Sequence, residues 1–141
     1  MRGLEEASPL VTSIALGRPV PQPLCRVIPS RFLERQTYNI PGGRHKLNPS
    51  QNVAVREALE KPFTVIQGPP GTGKTIVGLH IVFWFHKSNQ EQVQPGGPPR
   101  GEKRLGGPCI LYCGPSNKSV DVLAGLLLRR MELKPLRVYS E

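Results

Sequence analysis

The chain has 141 residues, 38% hydrophobic and 21% charged, the size and mix of one soluble globular domain rather than a membrane-embedded, fibrous or disordered chain. Its longest apolar stretch, residues 76–85 broken only by Gly78 and His80, falls short of the roughly 20 residues that span a bilayer, and Glu5 and Glu6 stand where a secretion signal would be basic; no membrane association and a reducing compartment, cytoplasm or nucleus, are expected. The net charge of +9 favours a polyanionic partner such as nucleic acid, although lysines and arginines spread from Arg2 to Arg137 suit an ordinary solvated surface equally well.

Residues 1–46 are rich in proline and glycine and are expected to form an irregular N-terminal segment or the end of a preceding domain, with an extended piece at 25–28 and a turn at Pro41-Gly42-Gly43. The character changes at Leu47, and residues 47–141 are taken as a second unit. Asn48 suits an N-cap and Pro49 a first helical turn, so a helix is expected to continue over 50–61 until Pro62. Residues 63–67 are a short β-prone apolar run, and 74–87 is expected to be a helix. That helix is apolar on nearly all sides through Ile76, Val77, Leu79 and Ile81 to Phe85, which predicts packing between layers with Trp84 in the core. Residues 89–107, with two proline–glycine clusters around Arg100, Lys103 and Arg104, are expected to be a flexible insertion. A strand at 109–113, a helix over about 118–133 stopped by Lys134 and Pro135, and a third strand at 136–139 complete an α/β pattern.

The cysteines Cys25, Cys109 and Cys113 are too few and scattered for a disulfide framework or a four-ligand zinc site. Cys109 and Cys113, around Ile110 and Leu111, read as core thiols of a buried parallel strand. His80 and His86 are six apart, which separates their faces on a helix, and His45 lies in a loop, so none reads as a metal ligand or base.

The most specific signal is Gly68-Pro69-Pro70-Gly71-Thr72-Gly73-Lys74-Thr75, which fits the phosphate-binding pattern G-x-x-x-x-G-K-[ST] at every fixed position and lies between a strand-like run and a helix. Glycine at 68, 71 and 73 lets the backbone turn tightly and approach phosphate oxygens without a Cβ in the way. Pro69 and Pro70 stiffen a stretch that need not donate. The amides from Gly71 to Thr75 are expected to point at the phosphates at the positive end of the helix dipole. Lys74 is expected to reach the β and γ phosphates, and the Thr75 hydroxyl to hold Mg²⁺, which makes ATP and Mg²⁺ the expected cofactors and Lys74 and Thr75 the catalytic pair.

The neighbours of this loop choose among nucleotide hydrolases. Leu47-Asn48-Pro49-Ser50-Gln51, then Ile66-Gln67 leading into the loop, then Cys113-Gly114-Pro115-Ser116-Asn117-Lys118-Ser119-Val120-Asp121, resemble the Q motif, motif I and motif Ia of superfamily 1B-type RNA and DNA helicases, the group of the nonsense-mediated-decay helicase. AAA+ ATPases share the loop and are not expected to carry the flanking elements. The resemblance implies a RecA-like P-loop NTPase parallel sheet, here incomplete, with three strands and flanking helices. It implies RNA or DNA, and the protein partners of the parent enzyme, as partners. It makes Gln51 the reader of the adenine edge, a task suited to an amide with donor and acceptor side by side. At the third helical position Gln51 is equally placed to close a capping box with Asn48, and both readings stand. Ser116 and Asn117 would face the nucleic acid strand, and Ser116 also suits an N-cap.

Two departures bear on activity. No apolar run followed by Asp-Glu occurs after Thr75, so the acids that would complete Mg²⁺ binding and activate water are missing, as are the arginines a second domain would supply. The 141 residues alone are therefore expected not to unwind nucleic acid. A non-catalytic nucleotide- or nucleic-acid-binding module and another P-loop ATPase are the alternatives. In helicases of this kind, moreover, the P-loop strand and the strand after its helix are separated in the sheet by later strands, so a marginally stable fragment with exposed edges is expected.

Overall fold

The computed structural model describes residues 9–19, 28–92, 109–131 and 133–138. Five helices form among the described residues: α1 (Pro9–Ala15), α2 (Ser30–Leu33), α3 (Pro49–Glu60), α4 (Lys74–Gln92) and α5 (Asn117–Met131).

Helix α3 begins where its local chemistry requires. Asn48 has extended backbone and its side chain accepts from the Gln51 amide at 2.8 Å, while the Gln51 side-chain oxygen accepts from the Asn48 amide at 3.0 Å, with Pro49 in the first turn. Val55 and Leu59, four apart, bury one face, and Pro62 stops the helix just after Lys61 donates to the Glu57 carbonyl.

The all-round apolar character of α4 makes it the central element, with α3 and α5 both packed on it. Val77, His80, Trp84 and Ser88 repeat at helical spacing along one buried row, and Leu79 and Phe83 form a second. Leu123 and Leu127 of α5 supply a further buried pair. The segment expected to be irregular contains α1 and α2 and supplies Ile28, Phe32, Tyr38 and Ile40 to the core, with Leu47 just beyond it. Trp84 Nε1 donates to the Tyr38 carbonyl at 2.8 Å, and its ring meets Phe32, Tyr38 and Phe83 edge-on.

The parallel sheet is not there. No strand forms among the described residues, which overturns the expected RecA-like sheet of three strands. The runs at 63–67 and 109–113 pair with no ladder, and Val65, Leu111, Leu136 and Val138 are 75%, 85%, 92% and 72% exposed. The physical reason is that a strand exists only through hydrogen bonds to a neighbour, and an apolar run without one leaves its peptide groups to water. Alternation survives without the ladder: Thr64 and Ile66 are half-buried, while Phe63, Val65 and Gln67 are exposed. Cys109 and Cys113 are likewise exposed, a correction to their reading as core thiols, since no sheet face exists to cover them. Tyr112 lies over α4, with its ring 3.9 Å from where a Cβ on Gly78 would stand. Of the extended piece expected at 25–28 and the insertion expected at 89–107, residues 25–27 and 93–107 lie outside the described residues, as does Tyr139, while 89–92 are not an insertion but the last turn of α4.

His80 is the main polar group of the interior. It is 1% exposed, its Nδ1 donates to the Ile76 carbonyl at 2.7 Å, and its Nε2 meets no partner among the described residues. Burial disfavours the imidazolium, holding His80 below the usual 6.5, and His86 moves the same way for the same reason. The unfolded chain therefore takes up these protons at higher pH than the folded one. Their stabilising contribution is complete above pH 6.5 and is lost as pH falls through the lowered folded values. The midpoint of urea unfolding should thus drop between about pH 7.5 and about pH 5.5, by no more than about 1.4 kcal/mol per pH unit for each proton. His80→Gln should remove part of that dependence, and a wild-type profile flat over this range would contradict the assignment.

Candidate functional site

The loop from Gly68 to Thr75 turns because two of its glycines adopt a backbone that other residues avoid: Gly71 and Gly73 have φ of 80° and 81°. At Gly68 the demand is for space instead, since an added Cβ would stand 2.8 Å from the Thr72 hydroxyl. The loop is held from within. Lys74 Nζ donates to the carbonyls of Gly68 and Pro69 at 2.7 and 2.8 Å, and the Thr72 hydroxyl donates to Pro69 O at 2.8 Å. Thr75 lies exposed on the first turn of α4, the helix end whose amides carry partial positive charge. Lys74 and Thr75 thus bring an ammonium and a hydroxyl together at the start of α4.

Gln51 reaches this loop from 21 residues upstream. Its Nε2 donates to the Thr72 carbonyl at 3.0 Å and packs so closely that a Cβ on Gly73 would stand 2.7 Å from it. Because its oxygen accepts from the Asn48 amide, the capping box is formed and both ends of the carboxamide are engaged. One N–H and one lone pair of the carboxamide remain for an adenine edge.

Asn52 and Asn39 have a positioning role that sequence reasoning missed. Asn52 Nδ2 donates to the carbonyls of Leu47 and Asn48, its Oδ1 accepts from the Tyr38 amide at 2.8 Å, and the Leu47 amide donates to Asn39 Oδ1 at 2.7 Å. These bonds fix the strand-like approach to α3 and so the place of Gln51. The available signal was an asparagine inside a helix, where its low propensity suggests a side chain bonded to nearby backbone.

A second cluster forms at the start of α5. The Ser116 hydroxyl accepts from the Ser119 amide at 3.2 Å, and the Ser119 hydroxyl donates to the Ser116 carbonyl at 2.7 Å, so Ser116 is an N-cap. Gly114 permits this close turn, since a Cβ there would stand 2.5 Å from Ser119 Oγ. Asn117 is exposed, and Arg137 donates to its Oδ1 at 2.9 Å and to Asp121 Oδ1 at 2.7 Å. Among the described residues no helix is long and apolar enough to cross a membrane, and no group of three or more metal-ligating side chains forms.

Comparison with known proteins gives the family of the chain. The family model of the AAA domain matches residues 46–141, a span that takes in both clusters. The chain is 99% identical over 141 residues to the human protein named 3'-5' exoribonuclease HELZ2, and 75% identical over 113 residues, 79% of the chain, to the mouse protein of the same name. It is 40% identical over 96 residues, 68% of the chain, to the ATP-dependent helicase upf1 of Schizosaccharomyces pombe. It spans only 5%, 4% and 9% of the lengths of these three relatives. No solved structure matches it. The chain belongs to the AAA domain family and is homologous to superfamily 1 helicases of the UPF1 type.

Proposed function

We propose that the chain is part of the motor of an ATP-dependent helicase, that it binds ATP·Mg²⁺ through Gln51 and residues 68–75, and that it contacts RNA or DNA through Ser116 and Asn117. One observation carries the nucleotide reading: the Gln51 carboxamide meets the loop at Thr72 and Gly73, so a base reader and a phosphate cradle share one site. The residues fit the ligand. Gly71 and Gly73 turn the loop at φ of 80° and 81°, Lys74 supplies an ammonium, and Thr75 supplies the oxygen donor that a hard cation such as Mg²⁺ takes. When bound, ATP·Mg²⁺ supplies the phosphoryl-transfer chemistry. The chain's own residues orient the triphosphate and neutralise its charge, Lys74 by leaving the loop carbonyls for phosphate oxygens. In the parent, hydrolysis would be coupled to movement along nucleic acid, a reading supported by the likeness to the fission-yeast ATP-dependent helicase upf1.

Titration of the chain with a fluorescent ATP analogue and Mg²⁺ should saturate, with ATP a better competitor than GTP. Gln51→Ala should equalise the two competitors, and unchanged selectivity would remove Gln51 from the adenine site. A second reading is a binding module without turnover. Phosphate release stimulated by RNA from these residues alone would exclude that module.

A further inference from the structure

We infer that Arg137 is a positioning residue for nucleic acid binding: it locks the carboxamide of Asn117 so that its donor end faces the strand. This rests on the proposed contact of Asn117 with nucleic acid and adds a residue that neither the sequence motifs nor the comparisons assign.

The geometry is that of a fork. Arg137 Nη2 donates to Asn117 Oδ1 at 2.9 Å and to its backbone carbonyl at 3.4 Å, while Nε donates to Asp121 Oδ1 at 2.7 Å and Nη1 to the Val138 carbonyl. Asn117 and Asp121 are four apart, so they lie on one face of α5, and the planar guanidinium spans both. The Arg137 side chain is 18% exposed against 49% for Asp121, which places it beneath the surface rather than on it.

The consequence is chemical. A phosphodiester offers only acceptor oxygens, and an asparagine amide has one acceptor end and one donor end. A free carboxamide samples both orientations, since its last torsion is broad and roughly two-fold, and so presents oxygen to an anion part of the time. With Oδ1 engaged by Arg137, Nδ2 is the end left to donate. Asp121 in turn holds the guanidinium and offsets its charge, so Arg137 orients the contact without being the ligand. A lysine at 137 would keep an ion pair with Asp121, but its single ammonium cannot hold Asp121 and Asn117 in the same plane.

The test uses the full 141-residue chain and a fluorescein-labelled single-stranded oligouridylate RNA, with affinity read by anisotropy across a series of KCl concentrations. Arg137→Ala should weaken binding about twofold, the cost of selecting one of the two orientations that an unheld carboxamide samples. The slope of log affinity against log salt should stay as in wild type, because no phosphate contact is removed; a direct ligand would lower it by about 0.7. Arg137→Lys should keep the wild-type unfolding midpoint and still bind weakly, which a purely structural role would not produce. In an Asn117→Ala background, Arg137→Ala should add nothing. In ¹⁵N spectra without RNA, the Asn117 side-chain amide pair should move toward free-amide values in Arg137→Ala. A reduced salt slope, an undiminished effect in the Asn117→Ala background, or unchanged Asn117 resonances would overturn the inference. Wild-type affinity in Asn117→Ala would instead sink the underlying contact, and the role of Arg137 with it. Weakened Asn117→Ala beside a normal Arg137→Ala would sink Arg137 alone.

Discussion

Trp84→Ala should lower the stability of the folded chain by about 3–5 kcal/mol, the usual cost of truncating a buried tryptophan, and so remove about a fifth or more of the roughly 5–15 kcal/mol that holds a domain together. Trp84 is 4% exposed and does several things at once. Its ring meets Phe32, Tyr38 and Phe83 edge-on at centroid distances of 6.0, 6.1 and 5.1 Å, and the Arg35 guanidinium covers it at 4.4 Å. Its Nε1 also gives the Tyr38 carbonyl a partner at 2.8 Å, which the truncation would leave unpaired in a buried place. Trp84→Phe partly separates the two contributions: it keeps an aromatic ring while dropping the hydrogen bond and some buried volume, and should cost about 1–3 kcal/mol. Urea unfolding followed by far-ultraviolet circular dichroism is the measurement, since Trp84 is the sole tryptophan and takes the fluorescence signal with it. A Trp84→Ala midpoint within about 1 kcal/mol of wild type would mean that the 28–47 segment is not clamped to α4 as described.

What sequence could read here was local chemistry, and what it could not read was partnership. The start of α3 was legible to the residue because Asn48, Pro49 and Gln51 act on one another across a single turn. The start of α4 at Lys74 was legible for the same reason. Its end was not: the helix runs to Gln92 rather than Lys87, since Ser88 is wholly buried and Arg31 pairs with Glu91 near the last turn, both of them tertiary effects. Helix α5 runs over Asn117–Met131 against an expected 118–133, an error of the size that fraying ends produce. The runs at 63–67 and 109–113 show where the periodicity argument stops. Alternation tells which side chains share a face, and Thr64 and Ile66 do share a half-buried one, but nothing in a run states whether a neighbouring strand exists to accept its hydrogen bonds. The reading of Cys109 and Cys113 failed with the sheet that would have covered them.

The same division applies to the site. The glycines, Lys74 and Thr75 were found by spacing, and the Gln51 capping box by its distance from Asn48. That Gln51 also bonds Thr72 required the fold, because 21 residues and a helix lie between them. Gln51 is thus joined to both the cap and the loop and keeps one N–H and one lone pair for a ligand. The Asn39 and Asn52 bonds hold the cap from the other side.

Lys74→Ala should weaken ATP·Mg²⁺ binding about 10- to 150-fold, the equivalent of losing charge-assisted hydrogen bonds worth about 1.5–3 kcal/mol. The lysine is exposed and its Nζ rests on two loop carbonyls, so its removal has two candidate effects, loss of the phosphate contact and slackening of the empty loop. They are separable. Slackening would raise the mobility of Gly68 to Gly73 and weaken every ligand of the loop in similar measure, including ADP and AMP. Loss of the contact should fall on the terminal phosphates, so ATP suffers most and AMP hardly at all. Magnesium gives a second axis: the Lys74→Ala deficit should persist in EDTA, because an ammonium acts on phosphate directly. A Thr75→Ala deficit should disappear there, because its hydroxyl acts through the cation. Unfolding midpoints should stay close to wild type for both variants, since both side chains lie at the surface. Equal ATP affinity in wild type and Lys74→Ala would remove the loop from nucleotide binding altogether. A deficit of the same size for ATP, ADP and AMP would leave Lys74 as a brace of the loop rather than a ligand of the triphosphate.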